Sequence, residues 1–262
     1  MGEPDRGDRS VLKAIIHSVS PLIGRCELTF IEREPIDLEL AIRQHHDYCA
    51  MLERHGAAVI RLTGNESYPD SCFVEDTAIV LDEIAIMCSP GVESRRGEVA
   101  LIERELSKHK ETVHISLPST IEGGDVLKVG KTIFVGESKR TNAKGIEDLR
   151  RLTGGFRYKV VSVETRGSLH LKSAVTSIDD ETLLVNKDWI DVEPLRGFRL
   201  VHTPASEPWS ANVLRVNNAV CVQSSFPETA ELIENIHGPI DVIDTSELRK
   251  AEGSLTCMSI LF

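Results

Sequence analysis

The sequence GSLTCMSILF (residues 253–262) closes the 262-residue chain with the apolar pattern of a β-strand, and it contains Cys257. The ends of a chain usually fray unless another element holds them in place. An apolar segment at the very end therefore predicts a final strand that pairs inside the fold. Cys257 is then either apolar filler or a nucleophile that the strand holds in position.

Upstream of this segment, the chain repeats one order of elements: two short strands, a helix and a third strand. The first three predicted hairpins cover residues 74–87, 124–136 and 169–186, and the fourth covers residues 212–224. Predicted helices follow at residues 94–110, 141–153 and 227–237, with only a weak helical pattern after the third hairpin. Predicted third strands lie at residues 112–117, 159–163 and 240–244. Thr141 or Asn142 supplies the N-cap of the second helix.

The two ends of the chain together supply a fifth unit. The last strand has no partner nearby in sequence, whereas residues 12–19, 37–56 and 57–62 form a predicted strand, helix and strand. The sequence therefore predicts an α/β fold, a five-bladed α/β propeller of pseudo-symmetric ββαβ units closed by the N- and C-terminal strands. This closure removes an exposed sheet edge. The alternative is a doubly wound sheet, which is disfavoured because hairpins outnumber parallel crossovers.

Composition narrows the class of protein. No Pro/Gly/Ser-rich linker interrupts the sequence, so we expect residues 1–262 to form a single domain. A net charge of −11 disfavours nucleic acid as a partner and favours a small cationic ligand. We expect no membrane segment and no signal peptide, and hence a cytoplasmic protein. Composition leaves the choice between monomer and homodimer open.

The six cysteines are scattered, without a C-x-x-C pair or a Cys/His cluster at zinc spacing. We therefore expect free thiols and no metal. For any one of these cysteines, burial in the core is the more common role.

Unusual polar residues recur near the start of the first strand of each unit. They lie within residues 72–76, 120–125, 167–173, 210–212 and 254–257. In a five-fold ring these segments surround one axis, so we expect their side chains to share a pocket. Taken singly, each has a structural explanation: a core thiol, a satisfied histidine, solvated acids, or a turn at Glu122-Gly123-Gly124.

Together these residues suit nucleophilic catalysis. A thiol becomes a better nucleophile when a histidine or a bound cation favours its thiolate. Cys257 is the candidate nucleophile, His170 the candidate acid and base, and Glu122 can orient the imidazole. The Glu75–Asp76 pair can bind a planar guanidinium.

Six motifs, in this order, resemble the dimethylarginine dimethylaminohydrolase family of the guanidino-group-modifying superfamily, which includes arginine deiminases and amidinotransferases. They are YPDSCFVEDTA (68–78), SPGVESRRGE (89–98), EGGDVLKVG (122–130), VGESKRTN (135–142), SLHLKSAV (168–175) and GSLTCMS (253–259). The resemblance extends over essentially the whole chain. It implies a five-bladed propeller, which agrees with the ring expected from the repeats.

The resemblance also implies the catalytic roles. Cys257 attacks the guanidinium carbon, His170 protonates the departing amine and later activates water, and Glu122 orients His170. Asp76, with Glu75 nearby, holds the guanidinium. The implied reaction hydrolyses an N-methylated arginine to citrulline and a methylamine through a thiouronium intermediate, with neither cofactor nor metal.

The remaining implied contacts bind the amino-acid end of the substrate. Asp70 and the backbone around Leu28 bind the α-amino group, and Phe73 packs along the alkyl stem. Arg95 and Arg140 bind the α-carboxylate. Residues 18–34, here called the lid segment, lie where the family has a mobile lid.

Three alternatives remain open at this point. The chain can act on another N-substituted arginine, or as an arginine deiminase, although it has no room for the inserted helical module that deiminases carry. Amidinotransferase activity is disfavoured by size for the same reason. In a non-enzymatic alternative, the fold binds cationic amino acids and Cys257 is inert.

Overall fold

The computed structural model describes residues 11–262 of the chain. The strands of these residues are β1 (Lys13–His17), β2 (Ala58–Leu62), β3 (Ala78–Val80), β4 (Ile84–Met87), β5 (Glu111–His114), β6 (Val126–Val129), β7 (Thr132–Glu137), β8 (Lys159–Glu164), β9 (Val175–Ser177), β10 (Thr182–Val185), β11 (Arg199–His202), β12 (Leu214–Val216), β13 (Ala219–Gln223), β14 (Asp241–Ile243) and β15 (Ile260–Leu261). The α-helices are α1 (Leu38–Arg54), α2 (Val99–Leu106), α3 (Ala143–Thr153), α4 (Pro227–His237) and α5 (Ser246–Arg249).

These strands form five three-stranded sheets, each of which is one blade. Blade 1 is β3-β4-β5, blade 2 is β6-β7-β8, blade 3 is β9-β10-β11, blade 4 is β12-β13-β14 and blade 5 is β15-β1-β2. In every blade the first two strands are antiparallel and the last two are parallel. The predicted propeller of ββαβ units is thereby confirmed.

Apolar cores lie between neighbouring blades all the way round the ring. Ile86 of blade 1 packs in the same core as Ile133 of blade 2, and Phe134 of blade 2 shares a core with Leu183 of blade 3. Corresponding cores join blade 3 to blade 4, blade 4 to blade 5 and blade 5 to blade 1. Each blade buries both of its faces, so removing any blade exposes two apolar surfaces.

The closing strand pairs as its sequence predicts. Ile260 and Leu261 of β15 pair with β1 in antiparallel register, and the backbone N–H of Lys13 donates to the carbonyl of Phe262 at 2.8 Å. The buried hydroxyl of Tyr48 in α1 donates to the carbonyl of Leu255 at 2.9 Å. These bonds fix the segment that carries Cys257 against the N-terminal part of the chain.

Helix boundaries follow local chemistry. Asn142 caps α3 because its side chain accepts from the N–H of Gly145 at 2.8 Å, which settles the choice between Thr141 and Asn142. The helix expected over residues 94–110 is shorter, because Glu93–Glu98 form a 3₁₀ turn before α2 begins. Blade 3 has only the 3₁₀ turn Glu193–Leu195 where the other blades have an α-helix, in agreement with its weak pattern.

Among residues 11–262, no helix combines the length and the apolarity that crossing a bilayer requires.

Candidate active site

The segments that carry the site residues are 3₁₀ turns rather than strands. Val74–Thr77, Gly123–Asp125, Leu171–Ser173 and Thr256–Met258 each form one tight turn before a strand begins. The extended strands predicted through these segments are therefore wrong. A tight turn aims successive side chains about a third of a circle apart, whereas a strand sends them to opposite faces.

These turns surround one small cavity, which we call the inner cavity. The predicted site residues that line it are Cys257, His170, Asp76, Asp70, Phe73, Arg95 and Arg140. Its volume is about 20 Å³, close to the space that one water molecule occupies. The side chains come from blades 1, 3 and 5 and from loops. Segments 72–76, 167–173 and 254–257 therefore share the cavity as predicted, whereas residues 120–125 and 210–212 contribute nothing to its lining.

His170 is buried and hydrogen-bonded to Glu122. The imidazole Nε2 lies 2.6 Å from Oε2 of Glu122 and 3.8 Å from Oδ1 of Asp76. Burial opposes the charge on the imidazole, but the charge of Asp76 and the bond to Glu122 outweigh it and raise the pKa of His170 to about 9. The side chain is therefore an imidazolium at neutral pH, with a proton available for a leaving group.

Asp76 carries a buried negative charge. Its Oδ1 accepts from the N–H of Gly124 at 3.1 Å, and its Oδ2 accepts from Arg95 Nη1 at 2.5 Å. Burial favours the neutral carboxyl, but the charges of His170 and Arg95 outweigh it and lower the pKa of Asp76 to about 2. An ionised carboxylate in the inner cavity is the group that a guanidinium needs.

Gly124 is required by space. A Cβ at this position would lie 2.6 Å from Nδ1 of His170 and 2.7 Å from Oδ1 of Asp76. Only a residue without a side chain lets the backbone pass between the imidazole and the carboxylate. The Gly-Gly pair therefore has a steric role in the site in addition to forming a turn.

Cys257 is half-buried on the turn Thr256–Met258, in the segment between α5 and β15. Burial raises the pKa of its thiol, and the negative charges of Glu75 and Asp76 raise it further. The resting side chain is therefore a thiol. A cation that neutralises Asp76 removes part of this penalty and favours the thiolate.

The two arginines differ in their partners. Arg95 donates to the carboxylates of Asp76 and Glu98 and to the carbonyl of Phe73 at 2.9 Å, so its guanidinium is already occupied by acceptors. Arg140 is buried but makes only long contacts, at 3.5 Å to Glu122 and 3.4 Å to the hydroxyl of Thr29. Arg140 is thus the arginine with donors left for a carboxylate.

The residues expected around the α-amino group are close to the lid segment. Asp70 is buried, and both of its oxygens accept from the N–H of Glu27, at 3.3 and 3.2 Å. Burial raises its pKa, against the opposing charge of Arg95. Glu27 lines the inner cavity, whereas Leu28 is half-buried against the neighbouring apolar core. Phe73 forms part of the cavity wall and of the same core.

Glu75 points to a different place from Asp76. Its Oε1 binds the ammonium of Lys172, and its Oε2 accepts from the hydroxyl of Thr256 at 2.7 Å. Asn212 accepts from the N–H of Thr256 at 3.1 Å and donates to the carbonyl of Lys172 at 2.9 Å. These four residues are here called the axial network. None of them lines the inner cavity, and Glu75, Lys172 and Thr256 line a different one. They fix the turn that presents Cys257.

Sequence reasoning missed two parts of this arrangement. Lys172 was predicted only as part of a motif, because its partner Glu75 lies 97 positions away. Glu252 holds the lid segment, since its carboxylate accepts from the backbone N–H groups of Thr29, Phe30 and Ile31 at 2.9, 2.5 and 3.0 Å. The sequence shows that Glu252 is an acid close to Cys257, but it does not show which groups this acid binds.

Among residues 11–262, one group of side chains has ligand atoms close enough together to hold a metal ion. It consists of Asp76, Glu122 and His170, whose ligand atoms lie within 4.8 Å of one another. Two of these residues already bond to each other, and Asp76 bonds to an arginine and a backbone amide. The expectation that the protein needs neither metal nor cofactor stays a prediction.

Comparison with known proteins identifies the family. A family model described as N,N dimethylarginine dimethylhydrolase, eukaryotic, matches residues 29–201. The N(G),N(G)-dimethylarginine dimethylaminohydrolase of Streptomyces coelicolor is 37% identical over 251 residues, which cover 95% of this chain and 96% of that protein. The chain belongs to the dimethylarginine dimethylaminohydrolase family. The resemblance expected from the six motifs is confirmed.

Solved structures of family members agree with the fold. A histidine-to-glycine variant of dimethylarginine dimethylaminohydrolase, as its adduct with S-methyl-L-thiocitrulline, superposes with a TM-score of 0.92 at 29% identity. A cysteine-to-serine variant of the Pseudomonas aeruginosa enzyme, complexed with citrulline, gives a TM-score of 0.91 at 29% identity. Each match covers 97% of this chain and 100% of the other.

The axial network makes a prediction about the pKa of Cys257. Glu75→Gln removes a negative charge and should lower this pKa, whereas Lys172→Met leaves Glu75 unpaired and should raise it, each by about one unit. The measurement is the rate at which iodoacetamide alkylates Cys257, followed by peptide mass spectrometry. The rate is recorded from pH 6 to pH 11 in steps of about half a pH unit, and its dependence on pH gives the shift in pKa.

The double variant Glu75→Gln/Lys172→Met should return close to the wild-type pKa, and Lys131→Met, which removes a surface partner of Glu83, should leave it unchanged. Shifts of the same sign in the two single variants would contradict an electrostatic role of the network.

Proposed function

We propose that this protein hydrolyses N-ω-methylated arginines to citrulline and methylamine or dimethylamine. The observation that carries the proposal is the meeting of Cys257, His170 and Asp76 in one cavity, in a chain of this family. The alternatives that keep the same fold, an arginine deiminase or an inert binding protein, become outcomes of the test.

Binding begins with charge. The guanidinium enters the inner cavity and pairs with Asp76, which stays ionised because its pKa is about 2. A carboxylate offers about four acceptor positions, so Asp76 can receive the substrate in addition to its present partners. Arg140 binds the substrate carboxylate, and Asp70 with the backbone of the lid segment binds the α-amino group. Because the cavity is small, the lid segment must move for the substrate to enter.

The bound cation also prepares the nucleophile. It neutralises Asp76, which otherwise raises the pKa of Cys257, and the thiol releases its proton to solvent, because His170 is already protonated. The thiolate then attacks the guanidinium carbon and forms a C–S bond. The tetrahedral adduct breaks its C–N bond to the methylated nitrogen as His170 donates the proton that nitrogen needs. A thiouronium on Cys257 and a neutral imidazole remain.

The second half regenerates the enzyme. Neutral His170 takes a proton from water, which attacks the thiouronium carbon and forms a C–O bond. The C–S bond breaks as the hydroxyl proton of the adduct passes to solvent, and neutral citrulline leaves. Once the site has lost its cation, the Cys257 thiolate takes a proton from solvent and returns to the resting thiol. Glu122 holds the imidazole in one orientation for both proton transfers. Two moderate barriers replace the attack of water on a resonance-stabilised cation.

The cysteines also bear on the cellular compartment in which the protein acts. All six cysteines of the chain are free thiols, which favours action in a reducing compartment such as the cytoplasm. We keep monomer or homodimer as the expected oligomeric state.

The first test is turnover. Purified protein should release citrulline from asymmetric dimethylarginine and from monomethylarginine, and Cys257→Ala should lower this rate more than ~10³-fold. The matched control is Cys221→Ala, which removes a thiol from the core between blades 4 and 5 and should keep the rate. Binding without turnover in the wild type would contradict the proposal and favour the binding protein. Turnover of arginine alone would favour the deiminase.

The second test is the pH profile. His170 must be protonated when the amine leaves, so kcat should fall as pH rises through the pKa of about 9. Glu122→Gln removes a charge that stabilises the imidazolium, and the alkaline limb of kcat should move to lower pH by about one unit. Glu103→Gln, which removes the partner of the surface residue His114, should leave that limb in place. An alkaline limb that Glu122→Gln leaves in place would exclude His170 as the acid.

A further inference from the structure

A second and larger cavity lies beside the inner cavity, and we call it the outer cavity. Its volume is about 350 Å³, enough for a small amino acid, and its walls include Gln223, Arg249, Ser254, Trp209, Glu32 and Glu34. Leu169 and Glu252 belong to the walls of both cavities. The mechanism proposed above uses none of the groups that are particular to the outer cavity.

Gln223 is the first sign that the outer cavity binds a ligand. The residue is 1% exposed, and its Oε1 accepts from the hydroxyl of Thr245 at 3.0 Å. Within residues 11–262, its Nε2 has no hydrogen-bond acceptor. Because Gln223 lines the outer cavity, its two N–H donors are available to a ligand there.

Arg249 is the second sign. Its guanidinium is half-buried and stacks on Phe226, with Cζ 4.7 Å from the ring centroid. In the described part of the chain, no carboxylate lies within ion-pair distance and no oxygen accepts from its N–H groups. Burial of this unpaired charge lowers the pKa of Arg249. A bound carboxylate would supply both the counter-ion and the acceptors.

Ser254 and Ser173 add hydroxyl groups to the same wall. Neither hydroxyl has a hydrogen-bond partner among residues 11–262, although both residues are half-buried. The outer cavity is thus lined by several donors that have no acceptor among the described residues. This is the pattern that a carboxylate requires, since a carboxylate only accepts hydrogen bonds.

The lining of the outer cavity also contains carboxylates. Glu32 and Glu34 of the lid segment line the outer cavity, and no described cation lies within ion-pair distance of either. Their position follows from Glu252, whose carboxylate holds the backbone N–H groups of the preceding residues. A ligand with an ammonium group would complement these two acids. Trp209 adds an apolar surface to the lining.

We propose that the outer cavity is a second binding site, for a zwitterionic α-amino acid. Its carboxylate contacts Gln223 and Arg249, and its ammonium faces Glu32 and Glu34. The site shares Leu169 and Glu252 with the inner cavity and takes Glu32 and Glu34 from the lid segment, but its other groups do not bind the substrate of the hydrolysis. Its occupation does not depend on turnover.

The test uses protein whose inner cavity is closed by alkylation of Cys257 with iodoacetamide, verified by mass spectrometry as one label at that residue. The chain has two tryptophans. Trp209 lines the outer cavity, and the ring centroid of Trp189 lies 4.5 Å from that of Trp209. Tryptophan fluorescence therefore reports on this cavity. L-Citrulline should give a saturable change in the labelled protein.

Two analogues and two variants make the test specific. N-Carbamoylputrescine lacks the carboxylate of citrulline and 5-ureidopentanoate lacks its ammonium, so each should bind at least about tenfold more weakly. Arg249→Met should weaken citrulline binding by at least about tenfold, and Gln223→Glu should abolish it by facing the ligand carboxylate with another. Arg151→Met, which removes an exposed arginine of α3, should change nothing.

Absence of saturation at about 10 mM citrulline would overturn the proposal. Equal affinity for citrulline and either analogue would overturn it too, as would unchanged binding in Arg249→Met. The melting temperature of each variant shows whether it is folded. Because Arg249→Met and Gln223→Glu change different side chains, misfolding of one variant leaves the other as a valid test. Loss of turnover in unmodified enzyme would bear on the proposed hydrolysis and leave this result untouched.

Discussion

The structure depends on how the buried charge of Asp76 is compensated. This carboxylate lies near the axis, where Arg95, the backbone of Gly124 and the imidazolium of His170 surround it. Leaving one member of a buried ion pair without its partner costs about 3–5 kcal/mol. The three compensating groups come from a loop of blade 1, from blade 2 and from blade 3. The charge therefore holds the blades in register and, at the same time, provides the site for a cation.

The same arrangement explains why the protein keeps a thiol rather than a resting thiolate. Acids that attract a guanidinium also repel the negative charge of a thiolate on Cys257, so the nucleophile forms when the cation is present. His170 shows the opposite effect, since these acids keep its proton in place. The same buried carboxylates thus keep His170 protonated at all times, whereas Cys257 becomes a thiolate only when the substrate cation is bound.

Much of the fold could be predicted from the sequence because its evidence is local. Hairpin turns, amphipathic helices and an apolar chain end follow from the pattern of residues, and the pairing of β15 with β1 follows from them. The convergence of His170, Asp76 and Cys257 could be predicted from their equivalent positions in the repeat. The exact conformation could not, because tight turns replace strands where the chain crosses the axis and polar side chains compete for a small space.

The local sequence pattern could not predict which side chains pair when they are distant in sequence. Glu75 and Asp76 are neighbours, yet one binds Lys172 and the other Arg95, since a tight turn separates their directions. Arg95 was expected to bind a substrate carboxylate, and the structure shows it bonded to protein acids. The unpaired state of Gln223 and Arg249 is a property of packing between blade 4, α5 and the lid segment, and no local pattern encodes it.

The central claim is that a thiouronium forms on Cys257. Mass spectrometry of protein quenched with acid during turnover of asymmetric dimethylarginine tests it most directly. The account predicts that the peptide containing Cys257 gains the mass of the substrate less that of dimethylamine, and that peptides containing the other five cysteines are unmodified. Turnover with no such adduct at steady state and in single-turnover quench, or an adduct on another cysteine, would contradict it.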